Sequence, residues 1–414
     1  MHRRRFLDLG GRAFTASALM PGMFRDEFAT GPIASIDRDV IVPGRRDGGT
    51  WFHPRPCLVP GVEGSHVLMT VQSISGSDVF GPVQWTISSD LGKTWSRPES
   101  IPGLGRNDLG SGRESGVCDV VPEFHPPTGT VLAIGHNVVY RDGVLEKPQP
   151  KRWPIYVVRS PEGRWSDPKP LRWDDLRASM IYSCGCSQRL VLDDGDILVP
   201  LTFGADGRED RSVTSARCGF DGRDLRIRTV GNTLELPIRR GLLEPSLARF
   251  QGRYFMTIRA EDDRGYVSVS EDGLRWAPRQ AWCWDDGSPL SLSTTQQHWL
   301  THSDGLFLVY TRKTEANARV MRWRAPLFVA EVDPRTLRLV RASERVVVPL
   351  AGDPANQPDR VARMGNFHTL DVSPDESWVT VGEERPKDGW KGDTILARIR
   401  WRRPNRSWRP PGPV

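Results

Sequence analysis

The segment Ser88-Ser89-Asp90-Leu91-Gly92-Lys93-Thr94-Trp95 constrains the fold more than any other part of the chain. It fits the pattern S-x-D-x-G-x-T-W at every fixed position and lies between strand-like VQWTI and SRPESI. These residue types describe a tight turn between antiparallel strands. Gly92 can take the positive φ that the turn needs, and the short side chains of Ser88 and Asp90 can bond nearby backbone N–H groups. Trp95 is then placed to plug the layer between neighbouring sheets. Two degraded copies occur, SEDGLRW at residues 270–276 and SPEGRW at residues 160–165. Each follows an apolar β run, GYVSV and IYVVR respectively.

Short strand runs fill the space between these turns, among them VLMTVQ, TVLAIG, DILVPL, RYFMTIR, LFLVYT, PLFVAEV and SWVTVG. Forty Gly and 34 Pro punctuate the chain and leave no long 3.6-period segment, which argues against helices of useful length. Turn-plus-Trp units recur every roughly 60 to 75 residues, long for a sandwich hairpin but suited to one four-stranded blade. About 370 residues divided by that period predicts an all-β chain folded as a six-bladed β-propeller. The expected organisation is a signal and linker over residues 1–35, the propeller over 36–401, and a loosely attached basic, Pro-rich tail over 402–414.

The net charge is +6, and much of the excess is Arg near the two ends. No internal basic stripe with interleaved aromatics appears, so nucleic acid is not an expected partner, whereas a positive mean field favours an anionic one. Arg3-Arg4-Arg5-Phe6-Leu7, followed by a weakly apolar stretch to Met23, resembles a twin-arginine signal and predicts export to the periplasm or beyond. His2, Asp8 and Arg12 depart from that pattern. No other stretch approaches a membrane span. Cys57, Cys118, Cys184, Cys186, Cys218 and Cys283 show neither C-x-x-C nor zinc-finger spacing and read as buried free thiols. No phosphate loop, dinucleotide fingerprint, H-E-x-x-H or EF-hand is present, so neither a cofactor nor a metal is expected.

The turn motif resembles the Asp-box of sialidase-type propellers. So does the order Glu244, then G-R-x-x-M-x-x-R from Gly252 to Arg259, then the second turn motif. The resemblance runs from about Arg55 to about Glu383. It implies a glycan substrate and a clamp of three arginines on a substrate carboxylate, for which Arg55, Arg259 and Arg324 are the candidates, with Arg319 and Arg322 as competitors for the third place. The planar guanidinium fork suits a carboxylate. It further implies Asp78 as general acid/base and Glu244 as the carboxylate that activates a nucleophile.

The family's nucleophilic tyrosine is where the chain departs, because Phe367 stands at the expected position in Gly365-Asn366-Phe367-His368-Thr369-Leu370. Three alternatives stay open. Glu244 and Asp78 could activate water in an inverting hydrolase, which needs their carboxyls about 6.5–9.5 Å apart. His368 could act as acid or base, including for β-elimination from a uronic acid. Tyr182 or Tyr310 could reach the centre from another blade. His136, His298 and His302, Gln297 and the run Arg113-Glu114-Ser115-Gly116 are further candidates for lining the site. The leading expectation is an exo-acting glycoside hydrolase on a sialic or uronic acid. A polysaccharide lyase and a non-catalytic glycan-binding propeller are the alternatives.

Overall fold

Strand runs separated by tight Gly, Pro and Asp turns pair most readily with their neighbours in sequence, and this chain does so around a ring. The computed structural model describes residues 24–48, 50–61 and 64–412. These form six antiparallel sheets of four to six strands, arranged as a six-bladed β-propeller. The innermost strands, in blade order, are Trp51–Val59, Arg113–His125, the pair Ile181–Ser183 and Leu190–Val191, Leu242–Phe250, His298–His302 and Phe367–Ser373. Each blade then steps outward by antiparallel hairpins. Among the described residues a single short α-helix, Gly44–Asp47, interrupts the strands, and no helix there is long and apolar enough to cross a membrane.

The ring is closed by residues far apart in sequence. Ile33–Val42 pairs antiparallel with Thr394–Trp401 and adds an outer strand to the sixth blade. Phe24–Glu27 pairs in turn with Ile33–Val42, so the sheet takes in residues assigned from sequence to the linker. Ile36 is fully buried in the cluster of Phe307, Val379 and Ile399 between the fifth and sixth blades. Arg38 donates to the carbonyls of Val346 and Val347 in the fifth blade at 2.7 and 2.6 Å. The twin-arginine segment lies outside the described residues.

The three turn motifs connect the third and fourth strands of their blades, and each sends its Trp into the seam with the preceding blade. In the first, the Ser88 hydroxyl accepts from the Gly92 N–H at 2.7 Å. Asp90 Oδ1 accepts from the N–H groups of Lys93 and Thr94 at 3.1 and 2.9 Å. Gly92 has φ 77°, and any side chain there would strike Trp378 of the sixth blade. Trp95 meets Trp378 edge-on at 6.4 Å. In the second motif Ser270 and Asp272 repeat the bonding, and Trp276 Nε1 donates to the Ser215 hydroxyl of the third blade at 2.8 Å. In the third, Trp165 meets Trp85 of the first blade at 6.0 Å.

The C-terminal residues differ from expectation. Asn405 is buried and donates to the Thr301 carbonyl at 2.9 Å, and Trp408 Nε1 donates to the Asp371 carbonyl at 3.1 Å. Composition alone reads an Arg/Pro-rich end as loose, but one amide and one indole anchor it to the fifth and sixth blades. All six cysteines are free, and all but Cys283 are buried.

Because closure depends on Ile36, Ile36→Ala is expected to destabilise the fold by about 2–5 kcal/mol. The change should appear as a lower denaturant midpoint at an unchanged slope.

Candidate functional site

In each blade the first long strand, or in the third blade the first pair of short ones, is the inner one, with the short Asn107–Gly110 flanking it in the second blade, so these strands run the same way and their N-terminal halves meet at one end of the axis. Regular strands would alternate their side chains between faces. Here four of the six break register at a common height. The pairing shifts between Phe52 and Arg55, between Cys118 and Val121, and between Leu243 and Ser246. The third blade's inner strand is split into two pieces. At these breaks His53, Asp119, Cys186 and Glu244 hold φ of 53°, 55°, 61° and 44°. Bulges re-aim side chains, and left-handed backbone at non-glycine residues is strain that accumulates at functional sites.

Glu244 and Arg259 form the centre of the resulting cluster. Arg259, largely buried, donates through Nη1 to Glu244 Oε1 at 2.6 Å, through Nη2 to Glu261 Oε1 at 3.3 Å and through Nε to the Thr294 hydroxyl at 3.2 Å. The Glu244 N–H is held by the Thr202 hydroxyl at 2.9 Å, while its side chain stays partly open to solvent. Glu261 also pairs with Arg240. Burial opposes the charge on Glu261, but the hydrogen bond and charge of Arg240, the Thr294 hydroxyl and Arg259 outweigh it and hold the carboxyl down at about 2.

Arginines without acidic partners surround this pair. Arg324 donates to Glu384 Oε2 at 3.1 Å. Among the described residues, however, no carboxylate lies within ion-pair distance of Arg152, Arg211 or Arg322. Burial, then the charges of Arg240, Arg152 and Arg259, push Arg211 down to about 10. Arg322, with φ 53°, is lowered by burial and then by Arg259. Arg152 Nε is buried with no hydrogen-bond partner. Asp78 sits at φ 57° in the hairpin between His66–Gly76 and Val79–Ser88, exposed, with its charge acting on His53 and Arg322.

Asp119 faces the same region from the second blade. Its Oδ1 lies 3.2 Å from His53 Nε2 and accepts from Arg55 Nη2 at 3.3 Å. Burial works to raise this carboxyl, and His53, His136 and Arg55 together bring it down to about 2. His136, opposite Cys118 across the hairpin, is lowered by burial to about 4 despite Asp119.

The charges of Glu244, Arg259 and Arg322 act on Arg324, and that of Asp78 acts on Arg322, which groups these residues around the depression at the open end of the inner strands, whereas Arg55 and His368 make contacts of their own. Arg55 is fully buried beneath the depression. The Arg55 guanidinium donates to the Phe367 carbonyl, Asp119 and Gln296, the last two at 3.3 Å. Phe367 is fully buried alongside. His368 lies lower still, its ring 5.0 Å from that of His298, and burial holds both imidazoles well below their usual range. It borders a cavity of about 240 Å³ to which all six inner strands contribute, among them Cys57, Val121, Arg189, Leu247, Thr301 and Asp371. That cavity is the lower channel, reached further along each strand than the arginines. His302 Nε2 donates to the Arg403 carbonyl at 3.0 Å, away from the depression.

The tyrosine alternative is overturned by contacts. Tyr310 is buried and donates to Glu344 at 2.6 Å, and Tyr182 donates to the Leu171 carbonyl at 3.0 Å. The hydroxyls of Tyr140, Tyr156 and Tyr266 bond Phe80, Leu225 and Asp262, and Tyr254 packs under Arg249. None reaches Glu244. Sequence reading missed Asp119, Arg152 and Arg211. Asp119 shares its signal with Glu244, an acidic residue early in an inner strand, whereas no local pattern marks the two arginines.

No protein-family model matches the chain, and no curated protein sequence matches it. Solved structures do. A protein of unknown function from Dyadobacter fermentans superposes with a TM-score of 0.62 at 15% identity, covering 92% of this chain and 100% of that one. Trypanosoma rangeli sialidase superposes with a TM-score of 0.60 at 15% identity over 92% of this chain. This chain spans 60% of the length of that enzyme. NanB gives a TM-score of 0.57 at 10% identity, covering 92% and 71% of the two chains. A sialidase is thus among the neighbours in fold, and at this identity the likeness is one of architecture.

The ion pairs of Glu261 make a pH prediction. Its folded pKa lies below the unfolded value, so its contribution is present above about pH 4.3 and fades as pH falls toward the folded value. Glu261→Gln should therefore be less stable than the parent at neutral pH, with the difference closing toward pH about 2. Denaturant midpoints measured across that range check it.

Proposed function

We propose that this chain is an exo-acting glycoside hydrolase on an acidic sugar, a sialic or uronic acid at the end of a glycan. The observation that carries the reading is the set Arg152, Arg211 and Arg322, which gather around the Glu244–Arg259 pair with no carboxylate within ion-pair distance among the described residues. Partly desolvated guanidinium groups repel one another, and a bound anion relieves that repulsion while accepting bidentate hydrogen bonds. Arg259 and Arg324 belong to the same anion site, whereas Arg55 acts from beneath by fixing the Phe367 carbonyl and Asp119. The sialidase fold of the neighbours supports the sugar, and the turn motifs are read as Asp-boxes.

Chemistry is assigned to the two carboxylates at the open face. Asp78, exposed, serves as the acid that protonates the leaving oxygen. Glu244, partly open and charged beside Arg259, serves as the base that activates water. With Phe367 read as standing at the tyrosine position, five tyrosine hydroxyls hydrogen-bonded elsewhere and Tyr254 packed under Arg249, we invoke no covalent tyrosyl intermediate, and direct attack by water would invert the anomeric centre. Export through the twin-arginine signal would bring the enzyme to extracellular glycans. The same lack of a nucleophile favours a second reading, a glycan-binding propeller without turnover.

A turnover screen on sialyl and uronyl oligosaccharides, with mass-spectrometric analysis of products, separates these. Hydrolysis adds one water to the products. An unsaturated product of unchanged total mass would instead identify a lyase, and binding without cleavage would identify the lectin. Glu244→Gln is expected to lower kcat by on the order of 10²–10⁴. Arg211→Met and Arg152→Met should each raise KM about 10- to 100-fold, the size of one lost charge-assisted hydrogen bond.

A further inference from the structure

We infer that the hairpin of the second blade holds a divalent metal site of the zinc type, built from Cys118, Asp119 and His136. Cys118 and His136 are direct cross-strand partners on Arg113–His125 and Thr130–Arg141. Their Sγ and Nε2 atoms lie 3.3 Å apart. Consecutive strand residues normally point to opposite faces, so Asp119 would face away from Cys118 in a regular strand. The bulge that follows Cys118, with Asp119 at φ 55°, turns the carboxylate back to the same side. One donor atom from each of the three residues then lies within 4.8 Å of the others.

The donor set and spacing suit zinc. Thiolate, imidazole and carboxylate together select a borderline-soft ion over calcium or magnesium, which take oxygen ligands. Bonds of about 2.3 Å to sulfur and about 2.0 Å to nitrogen at a tetrahedral angle separate the two donors by about 3.5 Å, close to the spacing observed. The surroundings are arranged as for a ligand sphere. His53 and Arg55 both hold Asp119 Oδ1, while Oδ2 accepts no hydrogen bond among the described residues. This leaves that oxygen for an ion and fixes the carboxylate as outer partners fix metal ligands. Gly185 of the third blade closes the wall, where any side chain would collide with His136 and Asp119. His136 Nδ1 is buried against Gly185 without a hydrogen-bond partner, so packing sets the ring and leaves Nε2 facing Cys118. Three protein ligands leave a fourth position open, as in zinc sites that bind water or substrate. The site does not depend on the sugar assignment, because its donors belong to one hairpin.

The test uses the full purified chain. After loading with zinc and removal of excess, elemental analysis should find about one zinc per chain, and cobalt(II) in its place should give a thiolate-to-cobalt charge-transfer band. Cys118→Ser should abolish the band and weaken zinc at least tenfold against a chromophoric chelator, while Cys57→Ser, a buried thiol elsewhere, should change neither. A parent chain that retains no zinc and gives no charge-transfer band would overturn the site. So would zinc affinity unchanged in Cys118→Ser. The parent measurements need no variant, so they decide even if Cys118→Ser folds poorly.

Discussion

Arg55 is the interaction on which the centre of the propeller depends. Its guanidinium has no solvent exposure and joins the first blade to Asp119 of the second, to Gln296 at the entry to the fifth and to the Phe367 carbonyl of the sixth. A buried cation is tolerable only where its hydrogen bonds are met. These partners meet most of them and thereby set the height at which the strands approach one another. Above Arg55 lies the arginine-rich depression, and below it lie His298, His368 and the axial cavity. One buried charge therefore divides the channel into two levels of different chemistry.

At the upper level the balance of charge is deliberate in its geometry. Glu244 and Glu261 answer Arg259 and Arg240, and Glu384 answers Arg324 and Arg363. Among the described residues, no carboxylate lies within ion-pair distance of Arg152, Arg211 or Arg322. Low-dielectric walls strengthen each of these interactions relative to water. An anion bound there gains from all of them at once, while a neutral ligand gains little.

Much of the architecture was legible in the sequence because local chemistry dictates it. Ser88, Asp90 and Gly92 encode their own turn, and Trp95 and Trp276 sit where a blade seam needs an aromatic plug. Their spacing counted the blades correctly. Glu244 and Arg259 were legible for a related reason, since a hairpin fixes how they face each other. Other features depend on contacts that no local pattern carries. Cys118 and His136 meet through cross-strand register, and Asp119 joins them only because a bulge breaks the period of two. Arg152 and Arg211 lie in loops and strand starts whose approach to Arg259 is set by the whole ring. Depth along the axis was equally hidden. Arg55 and His368 sit on inner strands as expected, but one lies under the depression and the other in the lower channel. The tail was misjudged because composition cannot foresee that Asn405 and Trp408 find partners on the fifth and sixth blades.

The central claim is that the depression recognises a carboxylate. Calorimetric titration of the Glu244→Gln variant with an acidic sugar glycoside and with its carboxyl-reduced, neutral counterpart tests it most directly. The account predicts that the acid binds at least about tenfold more tightly, one charge-assisted hydrogen bond's worth or more, and that the gap narrows as salt is raised. Equal affinity for the two sugars, at any salt concentration, would contradict it.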